Sequence, residues 1–252
     1  WKFDLAGACT DMPNEPAESN FKHKIRATAY PCRDVNHLVW IYMGPRQEPP
    51  PFPPFEINTL PAENVYPPNI MMEEANWVQN LEGDLDSSHL DWLHSRLRED
   101  VPALSGAFRG VWMRDRNPRF DVVPTDYGAY YTAKRTWPEA GKEWHRINQF
   151  VLPFFTLISG VSDVVLRCFV PLDDHSSMLI TQLGNLNKPL TQEERTSRNW
   201  TDPYWPAGGY VPRTSDPHSY FHTVANRTND YLRDYTVEKT EMVSGIPFVW
   251  NL

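Results

Sequence analysis

The chain has 252 residues, with 24 Lys and Arg against 32 Asp and Glu, and its formal charge of −8 argues against a nucleic-acid or anionic-membrane surface. At 40% hydrophobic and 13% aromatic it is a globular protein, long enough for one large domain or one and a half smaller ones. The longest apolar stretch, "FVLPFFTLISGVSDVVL", is broken by Pro153, Gly160 and Asp163, so no membrane span of roughly 20 residues is expected.

Residues 1–44 read as β-structure, with a strand and turn in "WKFDLAGACT" and two strands around a polar turn at Arg33 to Asn36. That start has neither the charged nor the apolar region of a signal peptide. Cys9, Cys32 and Cys168 are odd in number and far apart, which suits neither a disulfide framework nor a CxxC site, so a reducing, cytoplasmic setting is expected. From Pro45 to Pro68 the texture changes to a proline-dense stretch that favours extended backbone, predicting a semi-rigid crossing over 46–68 between two domains.

Past the crossing, "NIMMEEANWVQNLEGDLDSSHLDWLHSRLRED" predicts the longest helical stretch, in two pieces around Gly83. Asn76, Gln79 and Glu82 recur at a helical interval within it, as do Asp86, His89 and Leu93. Residues 108–180 supply strand-like runs rich in β-branched and aromatic residues, predicting an antiparallel sheet. A loop-rich insertion occupies 183–219, and "SYFHTVANRTNDYLRDYTVEKTEM" predicts a long helix.

The chemistry concentrates in "NLEGDLDSSHLDWLH". At about 100° per residue, Asp86 and His89 share a face of an ideal helix, whereas His89 and His94, five apart, diverge by about 140°. Two ligands of one ion at that spacing require a local kink or π-bulge. Two neutral imidazoles plus a carboxylate from elsewhere would form a facial triad that leaves three Fe(II) positions open, and Asp86 could fix the tautomer of a metal-bound histidine.

"NWVQNLEGDLDSSHLDWLH" closely resembles the iron-binding motif of Rieske non-haem iron oxygenases, the large subunits of aromatic-ring-hydroxylating dioxygenases, whose core is Asp-x2-His-x4-His. The likeness covers nearly the whole chain. "DMPNEPAESNFKHKIRATAYPCRDVNHLVWIYMGP" and "NRTNDYLRDYTVEKTEMVSGIP" resemble segments of the phthalate 4,5-dioxygenase branch, and "WKFD" resembles the residues directly after the second half of a Rieske cluster motif. The resemblance implies an α+β fold. Residues 1–45 would be the C-terminal remnant of a β-sandwich Rieske domain, and 69–252 a helix-grip (START/Bet v 1-like) catalytic domain with an antiparallel sheet.

Carried over residue by residue, the resemblance makes His89 and His94 iron ligands and Asp230 the third, with Asp234 as its competitor. Asp86 becomes the aspartate that links an iron histidine to a Rieske-ligand histidine of the neighbouring subunit; Glu82 would stand closest to the metal, with Asn76 and Gln79 as surrounding polar residues and Asp84 merely solvated. The four ligands of the [2Fe–2S] cluster are expected upstream of Trp1, and further family sequence after Leu252. The implied cofactors are mononuclear Fe(II), the cluster, and NADH acting through a reductase or ferredoxin. The implied partners are O2, an aromatic substrate such as an aromatic carboxylate, and two further copies in a homotrimer.

Several readings stay open at this level. His145, His175, His218 and His222 are expected as surface or core residues, although His222 could approach the iron from eight residues before Asp230. The arginines of "FRGVWMRDRNPRF" and "AKRTW" are expected on solvated faces, with a bidentate clamp for an aromatic acid as the functional alternative. Phe150, Phe154, Phe155 and Phe169 are core, or walls for an aromatic ligand. The same iron site serves monooxygenases and O-demethylases. A non-catalytic hydrophobic-ligand module would keep the sheet without the ligands, and a zinc hydrolase would show HExxH spacing, which is absent.

Overall fold

The computed structural model describes residues 1–16, 18–93, 115–137, 139, 141–159, 163–197, 209–215, 219–241 and 243–245. Two units divide the chain, Trp1–Pro54 and Phe55–Leu252. The first holds two antiparallel pairs: β1 (Lys2–Phe3) with β2 (Cys9–Asp11), and β3 (Cys32–Val35) with β4 (Leu38–Ile41). The β3–β4 turn sits at Asn36 and His37, both with positive φ (53° and 67°), the conformation a tight hairpin needs. Trp40 packs edge-on against Phe52, tying the proline-dense stretch to β4.

The second unit is built on a seven-stranded antiparallel sheet in the order β5-β11-β10-β9-β8-β7-β6. Its strands are β5 (Asn69–Glu73), β6 (Arg119–Thr125), β7 (Gly128–Thr136), β8 (Glu143–Val151), β9 (Phe155–Ser159), β10 (Asp163–Pro171) and β11 (Ser177–Asn185). β6 to β11 form a continuous meander, as the β-branched and aromatic runs predict. The adjacent carboxylates Asp173 and Asp174 lie in the β10–β11 turn, where Asp173 Oδ1 accepts from the amide of His175 and the hydroxyl of Ser176, both at 2.8 Å.

Because successive side chains in a strand point to opposite faces, the register separates two cores. On one face Val164 and Leu166 of β10 pack with Ile57 and Val65, flanked by Phe55, Leu60, Phe155 and Leu157. On the other, Phe169 and Leu179 pack with Leu81, flanked by Met71, Trp77, Leu85 and Phe150. The first core draws on the segment expected as an extended crossing. Residues 56–64 instead contain the short helix α1 (Glu56–Thr59) and a 3-10 turn (Ala62–Asn64), because Ile57 and Val65, both 0% exposed, gain more from burial than the chain gains from staying extended. Gly184 on β11 makes room for this: a Cβ there would come within 2.9 Å of Ile57 and Leu60 side-chain atoms.

Two further expectations are corrected. Asn69–Glu73, read as helix, is a strand paired to β11 from Ser177↔Glu73 to Thr181↔Asn69. The predicted long helix over 219–242 is broken. Arg227–Leu232 is a 3-10 segment with Asp230, Tyr231 and Leu232 in left-handed conformation (φ 51°, 55° and 56°), and a separate short helix runs over Tyr235–Thr240. Asn226 and Asn229 cause the break, since their side chains bond nearby backbone and compete with helical bonding. Among the described residues no helix is long and apolar enough to cross a membrane.

Candidate metal centre

The helix α2 (Trp77–Leu85) carries the motif across one face of the sheet. Asn76 caps its start: Oδ1 accepts from the Val78 amide at 2.9 Å, and Nδ2 donates to the Asp174 carbonyl at 3.1 Å. The stripe turned to the sheet is Asn80, Leu81, Asp84 and, just past the helix, Ser87. Asn80 Nδ2 donates to Ser177 Oγ on β11 at 2.9 Å. The Asp84 carboxylate accepts from Arg167 of β10 and Thr156 of β9. Ser87 Oγ lies 3.3 Å from Tyr131 Oη on β7, and the Ser87 carbonyl accepts from Arg135 Nη2, also on β7, at 2.7 Å. Three polar residues at helical spacing thus meet the sheet strand after strand.

Asp84, expected to be solvated, has a side chain 5% exposed and ion-paired to Arg167. Arg135 of "AKRTW", expected on a solvated face, is 0% exposed. Gln79 and Glu82 are exposed. Gly83 does not divide the helix: nothing lies within 4 Å of where its Cβ would be, and α2 runs through it.

The break comes at Asp86, whose amide still donates to the Glu82 carbonyl at 2.9 Å while its ψ of 120° leaves the helix. Its carboxylate then turns back on the chain. Oδ1 accepts from the Ser88 amide at 2.7 Å, and Oδ2 accepts from the His89 amide at 3.0 Å and faces His89 Nδ1 at 3.2 Å. Burial opposes ionisation of Asp86, but the two amides and the His89 ring outweigh it and hold the carboxyl below its ordinary range. A neutral His89 that donates from Nδ1 to this carboxylate would carry its lone pair on Nε2. His89 begins a 3-10 turn, His89–Asp91, so it stands beyond the end of α2 rather than on a regular helix.

His94 and His218 lie outside the described residues. Asp230 Oδ2 accepts from Tyr235 Oη at 2.5 Å, and its segment is anchored to the chain just past β5 through Arg227, whose amide and Nη2 donate to Glu74 at 2.6 and 2.7 Å. Asp234 is the N-cap of Tyr235–Thr240 and accepts from the amides of Thr236 and Val237 at 2.8 and 3.0 Å. His145 is paired with Glu143 at 3.1 Å. Among the described residues, no group of three or more His, Cys, Asp or Glu lies close enough together to hold a metal ion. The structure brings together Asp86 and His89, and that donor chemistry fits a metal-bound imidazole, whose second ring nitrogen is oriented by a carboxylate.

Sequence reasoning missed Asp84, Ser87, Tyr131, Arg135, Arg146, Thr156 and Arg167. One signal was available: in β7 to β10 these polar side chains all occupy the alternate positions of a single face, as the pairs Tyr131↔Asn148, Ala133↔Arg146, Ile158↔Asn148 and Arg167↔Thr156 show. Burial pushes the Tyr131 hydroxyl pKa up and the Arg146 pKa down.

A helix laid across an antiparallel sheet, ending in an imidazole gripped by its own turn, defines a helix-grip domain of α+β class. Residues 41–251 match the family model described as LigXa C-terminal domain like. The 3-chlorobenzoate-3,4-dioxygenase oxygenase subunit of Comamonas testosteroni is 30% identical over 98% of this chain and 58% of its own length. The phthalate 4,5-dioxygenase oxygenase subunit of Pseudomonas putida is 35% identical over 77% of this chain and 46% of its own. The 5,5'-dehydrodivanillate O-demethylase oxygenase subunit of a Sphingobium species is 31% identical over 77% and 45%. The chain belongs to the family of Rieske non-haem iron oxygenase large subunits, and it spans about half the length of the curated relatives it matches.

Proposed function

We propose that the protein is the catalytic part of an oxygenase component that hydroxylates an aromatic substrate at a mononuclear Fe(II) held by His89, His94 and Asp230. The observation that carries this reading is the Asp86–His89 contact, a carboxylate set 3.2 Å from Nδ1, the arrangement that orients the ring of a metal-bound histidine. Asp230 is preferred over Asp234 because the Asp234 carboxylate already caps a helix. The iron would supply dioxygen activation, drawing electrons from a [2Fe–2S] cluster reduced with NADH through a reductase or ferredoxin. Asp86, whose side chain is 41% exposed while it contacts His89, is suited to bridge to a neighbouring subunit in a homotrimer.

The relatives named for 3-chlorobenzoate and phthalate support an aromatic carboxylate as substrate. The proposed clamp shifts position, however. Arg135 serves Ser87, Arg116 stacks on Trp92 with its Cζ 5.0 Å from the ring centroid, and Arg119 pairs with Glu143. Arg146 is the better anchor, being a cation on the α2 side of the sheet that no hydrogen bond or ion pair engages among the described residues, with Phe150 on the same face of β8. An O-demethylase or monooxygenase reaction on a similar acid is the second reading, favoured by the Sphingobium relative.

Metal analysis and oxygen uptake test the proposal. One iron per chain, and substrate-dependent O2 uptake by an oxygenase carrying the cluster, are expected against a panel of aromatic acids, with Arg146→Met raising KM for them. Zinc, or no metal, with the histidines intact would sink it.

A further inference from the structure

We propose that two arginines, the fully buried Arg135 and the half-buried Arg167, are the positioning residues of the Asp86–His89 pair. The inference rests on the metal reading of His89 and goes beyond it, because neither arginine is near the motif in sequence.

The geometry starts from how α2 ends. Asp86 leaves the helix so that its carboxylate can turn back onto Ser88 and His89. A helix terminus leaves its last carbonyls without helical donors. Ser87, fully buried and one residue past the C-cap, likewise has a carbonyl with no helical donor and no water to turn to. Arg135 Nη2 supplies the donor at 2.7 Å, and its charge is favourable at the negative end of the helix. Tyr131, four residues earlier on the same face of β7, meets the Ser87 hydroxyl and itself accepts from Asn148 Nδ2 at 2.7 Å. Two residues before Asp86, Arg167 and Thr156 grip the Asp84 carboxylate. The turn that carries Asp86 and His89 is therefore held by two guanidiniums, from β10 at Asp84 just before it and from β7 at Ser87 within it, strands three spacings apart in the sheet.

A buried charge costs more to place than an apolar side chain of similar volume. Packing alone would be served by Leu or Met at 135 and 167. What the arginines add is direction: each fixes a backbone or carboxylate position within three residues of Asp86, and the His89 ring can hold Nε2 in one place only if that turn does not shift.

The test is Co(II) titration of the protein, monitored by d–d absorption, with thermal melting run in parallel. Arg135→Met and Arg167→Met that stay folded are expected to bind Co(II) about 10–100-fold more weakly, with altered absorption bands. Arg135→Lys, which keeps one donor for the Ser87 carbonyl, is expected to recover part of the affinity and to shift the bands back towards wild type, and Arg167→Lys to do the same for Asp84. If the Met variants do not fold, the Lys variants decide: they carry the charge with different reach, so their bands are expected to differ measurably from wild type. Wild-type affinity and bands in every folded variant overturn this inference alone. A wild-type chain that takes up no Co(II) overturns the metal reading and this inference with it.

Discussion

Nδ1 of His89 stands 3.2 Å from Oδ2 of Asp86, and the same carboxylate accepts the amides of Ser88 and His89. One side chain thus closes the turn after α2 and decides which imidazole nitrogen keeps its hydrogen. Asp86→Asn retains an acceptor oxygen but loses the negative charge that faces His89 Nδ1. The variant is expected to reach one metal per chain at saturation, with affinity lower by about 10–100-fold, and to deliver electrons more slowly in an oxygenase that carries the cluster. Stopped-flow oxidation of the reduced cluster checks the second part; a wild-type rate there would remove Asp86 from the electron path.

The two aspartates near the C-terminus separate by their partners. Asp234 spends its Oδ1 on two helix amides, so Asp234→Ala is expected to cost about 0.5–2 kcal/mol of stability and to leave metal content unchanged. Asp230, whose carboxylate accepts from the Tyr235 hydroxyl rather than from helix amides, sits in left-handed backbone that a non-glycine residue adopts at a cost. Asp230→Ala is expected to abolish metal loading. Metal analysis of both variants after identical reconstitution decides, and the reverse pattern would transfer the ligand role to Asp234.

Ile57, in the segment that sequence composition marks as a crossing, is wholly buried against Val164 and Leu166. Ile57→Ala is expected to destabilise the protein by about 2–5 kcal/mol. Arg46→Ala, at an exposed position of the same proline-dense stretch, is expected to change stability by less than about 0.5 kcal/mol. Urea denaturation of the two variants provides the measurement; equal effects would mean that Ile57 contributes nothing to the core.

These contrasts show where the sequence could be read and where it could not. The strands β6 to β11 were legible because β-branched and aromatic runs carry their own pattern. β5 was not, since "NIMME" has residues of good helix propensity and becomes a strand only by pairing with β11. Gly83 looked like the helix break, yet a glycine within a helix costs only about 1 kcal/mol, while Asp86 ends α2 by bonding its own backbone. Within the site, Asp86 and His89 were legible because they are three residues apart. Asp84 with Arg167 and Ser87 with Arg135 are 83 and 48 residues apart, and only the sheet register brings them together.

Glu73 gives a pH test of the same interior. It faces the α2 side of the sheet opposite Ser177, and its Oε2 is buried with no hydrogen-bond partner among the described residues. Burial raises its pKa from 4.5 to about 7; Arg167 pulls it down and Asp84 pushes it further up. The folded value lies above the unfolded one, so between about pH 4.5 and 7 the folded state binds the extra proton and stability falls as pH rises. The contribution is fully present below pH 4.5 and lost above about pH 7. Glu73→Gln, which stays neutral throughout, removes this slope. Relative to wild type it is expected to gain on the order of 1–3 kcal/mol between pH 5 and pH 8, read as a growing separation of urea midpoints. A separation that stays constant across that range would show that Glu73 ionises no differently when folded.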